Sequence, residues 1–175
     1  MKSSIMRALI AFVALCLTAC TPAFNWREVQ HPDGLWSATF PDKPLQVTRT
    51  LSLPQAEAEP IQGVTVTLWS ARVGEQTFTI SLSEAPEIEP EVLRNALARA
   101  RRLNIGLTQA PKAPGEEQIG TMRLDPSGPQ VPARLQMKSQ VVAGQVLEAI
   151  VAGPVDGFDV QAAETFLQSA VFLKP

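Results

Sequence analysis

Three stretches of alternating apolar and polar residues constrain the fold of this chain most strongly. They are residues 45–53 (LQVTRTLSL), 63–73 (GVTVTLWSARV) and 76–83 (QTFTISLS). A period of two places every second side chain on one face of a strand. Gly74-Glu75, between the last two stretches, is typical of a two-residue hairpin turn. The pattern predicts an antiparallel meander with Phe78, Ile80 and Leu82 on its core face.

Further strands are predicted on both sides of this meander. One strand over residues 35–40 (LWSATF) ends at the turn formed by residues 41–44. Three more are predicted at 121–124, 133–142 and 145–152, and the last two are joined by a turn at Ala143-Gly144. The sequence thus predicts a largely antiparallel sheet of about six to seven strands.

Two segments change to helical spacing. Residues 87–103 carry Pro90 in the first turn and end before Gly106. Their predicted buried stripe is Val92, Leu93, Ala96, Leu97, Ala100 and Leu103. Asp159 is expected to cap a second helix that extends to about Ser169. Its predicted buried residues are Val160, Ala163, Phe166 and Leu167.

The N-terminus is typical of a secretory signal peptide. Lys2 and Arg7 precede an apolar run from Ala8 to Leu17, and this run is too short to span a bilayer. The run is followed by Leu17-Thr18-Ala19-Cys20, which resembles the lipobox of bacterial lipoproteins, where cleavage precedes the cysteine and its thiol takes a diacylglycerol. We therefore predict a signal peptide over 1–19, cleavage between Ala19 and Cys20, and lipidation of Cys20. The alternative is ordinary cleavage of a secreted protein in which Cys20 is incidental.

Lipidation sets the organisation of the mature chain. Residues 20–30 are predicted to be the lipidated cysteine and a short tether, either without regular structure or ending in a first strand. Residues 31–175 are predicted to be a single domain, in keeping with a length of 175 residues. More than one acyl chain gives stable membrane attachment. Thr21, where retained lipoproteins carry Asp, favours the outer membrane, facing the periplasm, in a cell with two membranes. Because Cys16 leaves with the signal peptide and Cys20 carries lipid, no disulfide is expected.

Two motifs in the predicted domain resemble a known family. Residues 36–44 (WSATFPDKP) are similar to the F-x-V-x-F-P-x-x-P opening of a bacterial class in the PsbP-like superfamily. Residues 166–172 (FLQSAVF) are similar to its aromatic-L-x-S-F ending, although Ala170-Val171 interrupts the Ser-Phe pair. The resemblance implies an α/β/α sandwich around a largely antiparallel sheet, as in envelope lipoproteins of the DcrB type. It also implies a mainly non-catalytic binding or assembly role, and it transfers no binding site to this chain.

Composition argues against several classes of function. The full chain has a net charge of −2, and cleavage after residue 19 removes two of its 15 basic residues against 17 acidic ones, which leaves −4. A mildly acidic body is not expected to bind nucleic acid. No phosphate-binding glycine motif is present, and His31 is the single histidine in a chain without tyrosine. We therefore predict no enzyme, no catalytic residue, no metal and no cofactor other than the lipid on Cys20.

Three features are candidates for binding. Arg94, Arg101 and Arg102 are spaced to share one helix face, with Lys112 in the following loop. Such a face can bind phosphate headgroups, lipopolysaccharide or an acidic partner. The simpler interpretation is a solvated helix face. The tryptophans Trp26, Trp36 and Trp69 either line a ligand groove or belong to the core. Residues 156–159 (DGFD) either hold a cation or form a turn and helix cap, which this short spacing favours.

These observations favour a membrane-anchored envelope lipoprotein that acts as a non-catalytic binding or assembly factor for an envelope protein or lipid. The alternative is a small-ligand or lipid-binding module with a pocket between sheet and helix, bounded by Trp36 or Trp69. A third hypothesis is a hydrolase that uses His31 and a carboxylate.

Overall fold

The computed structural model describes residues 24–55, 59–107, 117–123 and 127–173. Within these ranges the chain forms strands and helices in the order βββββαβββαβ. The strands are β1 (Arg27–Gln30), β2 (Trp36–Phe40), β3 (Leu45–Leu53), β4 (Ile61–Val73), β5 (Gln76–Glu84), β6 (Gln118–Arg123), β7 (Gln130–Val142), β8 (Gln145–Pro154) and β9 (Val171–Phe172). The helices are α1 (Pro90–Asn104) and α2 (Val160–Ser169).

The main sheet has six strands in the order β3-β4-β5-β8-β7-β6, and every neighbouring pair is antiparallel. The hairpin turn at Gly74-Glu75 joins β4 to β5, as the alternation predicts. Both residues of the turn between β7 and β8 have positive φ, 51° at Ala143 and 80° at Gly144. The predicted α+β class and the largely antiparallel sheet are therefore confirmed.

A second sheet of three strands, in the order β1-β2-β9, brings the two ends of the described chain together. Strand β2 pairs along its length with β1, and through Trp36 and Ser37 with β9. Arg27 and Gln30, assigned by the sequence to the tether, lie in β1. Phe24 and Trp26 also pack against the main core, so the chain joins the domain earlier than the predicted boundary at residue 31.

The two faces of the main sheet pack against different partners. On one, which we call the aromatic face, residues from β4, β5 and β8 pack against β2 and α2. On the other, the helix face, residues from β3, β4 and β8 pack against α1. Strand β8 lies in the middle of the sheet and nearly all of it is buried, which is typical of a strand covered on both faces.

Helix α1 has the predicted position, but its buried stripe is narrower than predicted. Leu93, Ala96 and Leu97 are buried against the sheet, whereas Val92 and Leu103 are 45% and 41% exposed. The helix touches the sheet along one line, and side chains at the margins of the apolar stripe remain in solvent.

Helix α2 is fixed at its N-terminus by two groups. The Asp159 carboxylate accepts a hydrogen bond from the Ala162 N–H at 2.8 Å, which confirms the predicted cap. The buried Gln76 side chain accepts from the Asp159 N–H at 2.9 Å and donates to its carbonyl at 3.1 Å. Phe166 is fully buried, but Val160 in the first turn is 39% exposed, which corrects its predicted burial.

Candidate functional site

The predicted arginine face lies on α1, which is held close to the sheet at its C-terminal end. The Thr121 N–H donates to the Ile105 carbonyl at 2.9 Å. At Gly120 an added Cβ would lie 2.0 Å from that carbonyl oxygen, so a larger residue would push the helix end away from β6. This contact holds the C-terminal end of α1 against β6.

Arg101 points into the protein. Its guanidinium donates to the Glu148 carboxylate at 2.9 Å and, more weakly, to the Ser81 hydroxyl at 3.4 Å. The Glu148 side chain is fully buried on the helix face and that of Arg101 is 23% exposed. The role of Arg101 is therefore to neutralise a buried carboxylate, which corrects its prediction as part of an exposed binding face.

Arg94 is paired on the helix surface. Its guanidinium lies 2.6 Å from the Glu91 carboxylate, one turn earlier, and both side chains are substantially exposed. Exposed pairs at this spacing contribute a few tenths of a kcal/mol, about 0.2 to 0.5. Arg94 and Arg101 thus already have carboxylate partners and do not form a shared cationic face with Arg102.

Arg102 lines an open groove of about 290 Å³ between α1 and the end of β3. The sequence did not single out a second arginine, Arg99, which lines the same groove three residues earlier on the helix. The remaining lining residues among those described are Pro54, Gln55, Val92, Asn95 and Ala96. The groove-lining residues of α1 include four that are spaced by three or four positions and therefore lie on one side of the helix: Val92, Asn95, Arg99 and Arg102. This spacing in the sequence could have identified Arg99 as a neighbour of Arg102.

A second opening of about 560 Å³ lies beside this groove, between the loop before β4 and the loop before α1. It shares Gln55 with the groove but also carries the carboxylates of Glu59 and Glu87. The two openings therefore differ in charge, and only the groove at α1 presents arginines.

His31, the proposed base of the hydrolase hypothesis, is placed in an aromatic contact. Its ring lies 5.4 Å from that of Trp69 and 6.0 Å from that of Trp36, centroid to centroid. Its Nδ1 accepts the Asp33 N–H at 3.2 Å. These contacts fix the turn between β1 and β2, and a weak contact of 3.9 Å joins His31 to the Asp33 carboxylate.

The tryptophans are part of the core. Trp36 is fully buried and Trp69 is 8% exposed, and their rings meet edge to face at 5.0 Å. Trp26 is partly buried and lies edge-on to Phe78 at 6.5 Å. The core interpretation of Trp36 and Trp69 is thus confirmed, and neither is among the described lining residues of the two openings at α1.

The Asp156–Asp159 segment forms a turn and a cap. Gly157 has a φ of 82°, which glycine adopts easily, and Asp159 caps α2. Across the described ranges no group of three His, Cys, Asp or Glu side chains is placed to hold a metal ion.

Several predicted features lie outside the described residues: the signal peptide over 1–19, the cleavage site at Ala19 and Cys20, and Lys112. None of the helices that the structure describes has the length and apolar character needed to cross a membrane.

Comparison with known proteins returned no match to any protein-family model, any curated protein or any solved structure.

Proposed function

We propose that this protein is a lipid-anchored lipoprotein of a bacterial envelope whose single domain binds another envelope component without catalysis. The observation that carries the proposal is the lipobox-like Leu17-Thr18-Ala19-Cys20 so close to the folded domain. Phe24, four residues after Cys20, already packs against the core. Four residues reach at most about 14 Å, so lipid on Cys20 would hold the domain at the membrane surface.

We also propose a family relationship and a membrane location for this lipoprotein. A largely antiparallel sheet with α1 and α2 on opposite faces supports the resemblance to PsbP-like, DcrB-type lipoproteins. Thr21 after the lipidated cysteine supports residence in the outer membrane on its periplasmic side.

A binding role is supported by the contacts of the candidate site residues. Arg101 neutralises Glu148, and the His31 ring packs against two tryptophans. Arg102 remains at an open groove. Recognition of another molecule through this groove is therefore favoured over a reaction centred on His31.

The anchor is tested by intact-mass spectrometry and membrane fractionation of the protein expressed in a bacterium with two membranes. We expect the mature chain to begin at Cys20, to carry the added mass of acyl chains and to sediment with membranes. A Cys20→Ser variant should remain uncleaved. A soluble wild-type product that starts at another residue and carries no lipid would contradict the anchor.

The binding role is tested by crosslinking in the native envelope followed by purification of the lipidated protein. We expect a discrete envelope component that is lost in Arg102→Glu and kept in Arg94→Glu, its matched control on the same helix. Capture of a specific lipid with no stoichiometric protein, unchanged in both variants, would contradict an assembly role. It would instead favour the ligand-binding alternative.

A further inference from the structure

The arginines with buried Nε atoms differ in their carboxylate partners. Three arginine side chains of α1 have an Nε that is buried and makes no hydrogen bond within the described residues: Arg94, Arg99 and Arg101. In Arg94 and Arg101 another guanidinium nitrogen lies within 2.9 Å of a carboxylate oxygen, that of Glu91 and that of Glu148. Among the described ion pairs, Arg99 has no such carboxylate partner.

Arg99 and Arg102 share one groove. Because they are three residues apart on α1, their side chains leave the same side of the helix. Asn95, one turn before Arg99, and Gln55, just beyond β3, add side-chain amides to the same lining. The described lining residues contribute no carboxylate, so this part of the groove presents cationic and neutral donors.

Two neighbouring guanidinium groups repel each other, and partial burial raises the cost of holding both charges there. The last turn of a helix favours cations, which offsets part of this cost at Arg102. An anion bound between the two guanidinium groups would offset the rest of this electrostatic cost. The planar guanidinium can donate two parallel hydrogen bonds to phosphate oxygens. The mature chain as a whole is acidic, so this concentration of positive charge is local.

We propose that the groove between α1 and the end of β3 binds a phosphate group through Arg99 and Arg102, with Asn95 and Gln55 as supporting hydrogen-bond donors. A volume of about 290 Å³ accommodates the phosphate together with a few atoms of the molecule that bears it. The inference specifies the chemistry of the component in the proposed function and depends on that function for the location of this component in the envelope. Phosphate binding itself does not depend on the lipid anchor.

The test is a titration of the purified full-length mature protein in detergent micelles, followed by NMR of the arginine Nε–Hε signals. Inorganic phosphate is the first probe, and sodium chloride at matched ionic strength is its control. Micelles containing a short-chain phosphatidylglycerol are the second probe, which separates a lipid headgroup from a soluble phosphate. The Arg101 signal is an internal reference, because Glu148 already occupies that guanidinium.

We expect saturable shifts of the Arg99 and Arg102 signals with phosphate but not with chloride. Arg99→Gln and Arg102→Gln should each weaken phosphate binding at least tenfold, and Arg99→Lys should lose less because it keeps the charge. Arg94→Gln, the matched control, should stay within twofold of the wild type. If phosphatidylglycerol produces the same shifts, the source of the phosphate is a lipid, and if only inorganic phosphate does, the source is soluble.

The inference would be overturned by signal shifts that do not saturate with phosphate or that chloride reproduces. It would also be overturned if Arg94→Gln weakened phosphate binding as much as Arg99→Gln and Arg102→Gln do. This outcome is separable from failure of the anchor. A protein that carries lipid on Cys20 but gives no saturable shift refutes the groove alone. Saturable binding by a protein without lipid refutes the anchor and supports the groove.

Discussion

The two faces of the six-stranded sheet are built differently. On the aromatic face the rings of Phe40, Phe78 and Phe166 are fully buried, and each meets a neighbouring ring edge to face at 5.1 to 5.6 Å. On the helix face Glu148 and Ser81 are buried among smaller aliphatic side chains. Apolar burial stabilises in proportion to area, whereas a buried ion pair contributes little net stability. The aromatic face therefore supplies the larger share of the apolar burial, while the helix face combines a smaller apolar cluster with a buried ion pair that fixes the position of α1.

The largest effect is expected on the aromatic face. Phe166→Ala removes the ring that joins α2 to β2 and β5 and leaves a cavity. We predict a loss of about 4 kcal/mol in the free energy of unfolding, measured by denaturant titration. A loss below about 1 kcal/mol would show that this face is not the main source of stability.

The next effect concerns the buried pair on the helix face. Arg101→Met leaves Glu148 buried without its cation and should cost about 3 kcal/mol. The double variant Arg101→Met/Glu148→Leu removes both charges and should return to within about 1 kcal/mol of the wild type. If the double variant is as unstable as the single one, the ion pair itself stabilises this face. The loss in the single variant would then not come from leaving Glu148 buried without a cation.

A smaller difference separates the two helix N-termini. Asp159 caps α2 through its side chain, whereas Glu89 at the same position of α1 makes no side-chain cap hydrogen bond. Asp159→Ala should therefore cost about 1 kcal/mol, and Glu89→Ala should change stability by about 0.3 kcal/mol or less. Thermal unfolding of both variants checks this, and equal losses would contradict the assignment of the Asp159 cap.

The smallest effect is a pH dependence at the margin of the aromatic face. Lys138 donates to the Ala170 carbonyl beside the Phe172 ring, and burial lowers the pKa of its ammonium below the ordinary 10.5. Between the lowered pKa and 10.5 the unfolded chain binds more protons, so stability should rise with pH in that window.

Lys138→Met should flatten this rise. The chain has no tyrosine, so no phenol titrates in the same alkaline range. The measurement is the midpoint of thermal unfolding against pH for both proteins. Identical profiles would show that Lys138 does not contribute.

Strands and helices with a clear period could be predicted from the sequence. The alternation in β4 and β5 and the helical spacing of α1 follow from local side-chain preferences, so their existence and approximate limits were recovered. The separate sheet β1-β2-β9 was not predicted, because β9 has two residues and pairs with a strand about 135 positions earlier. Such pairing leaves no local pattern.

The candidate site was predicted only in part. Spacing alone placed Arg94, Arg101 and Arg102 on one helix face, but it carries no information about their partners. Arg101 turns inward because the register of β5 and β8 brings Glu148 next to Ser81 beneath α1. One signal was available: Glu148 alternates with Val146 and Ile150, so it occupies the same face as two core residues.

Helix α1 thus carries one arginine that pairs within the fold, Arg101, and two that we propose bind a ligand, Arg99 and Arg102. The most direct measurement is the Tm and the phosphate affinity of Arg101→Gln and Arg99→Gln side by side. We predict that Arg101→Gln lowers the Tm by about 8 °C and keeps phosphate affinity within twofold, since a loss near 3 kcal/mol corresponds to that shift. Arg99→Gln should keep the Tm within about 2 °C and lose at least tenfold in affinity. If both variants lose Tm and phosphate affinity to the same extent, this division of roles between the arginines is contradicted.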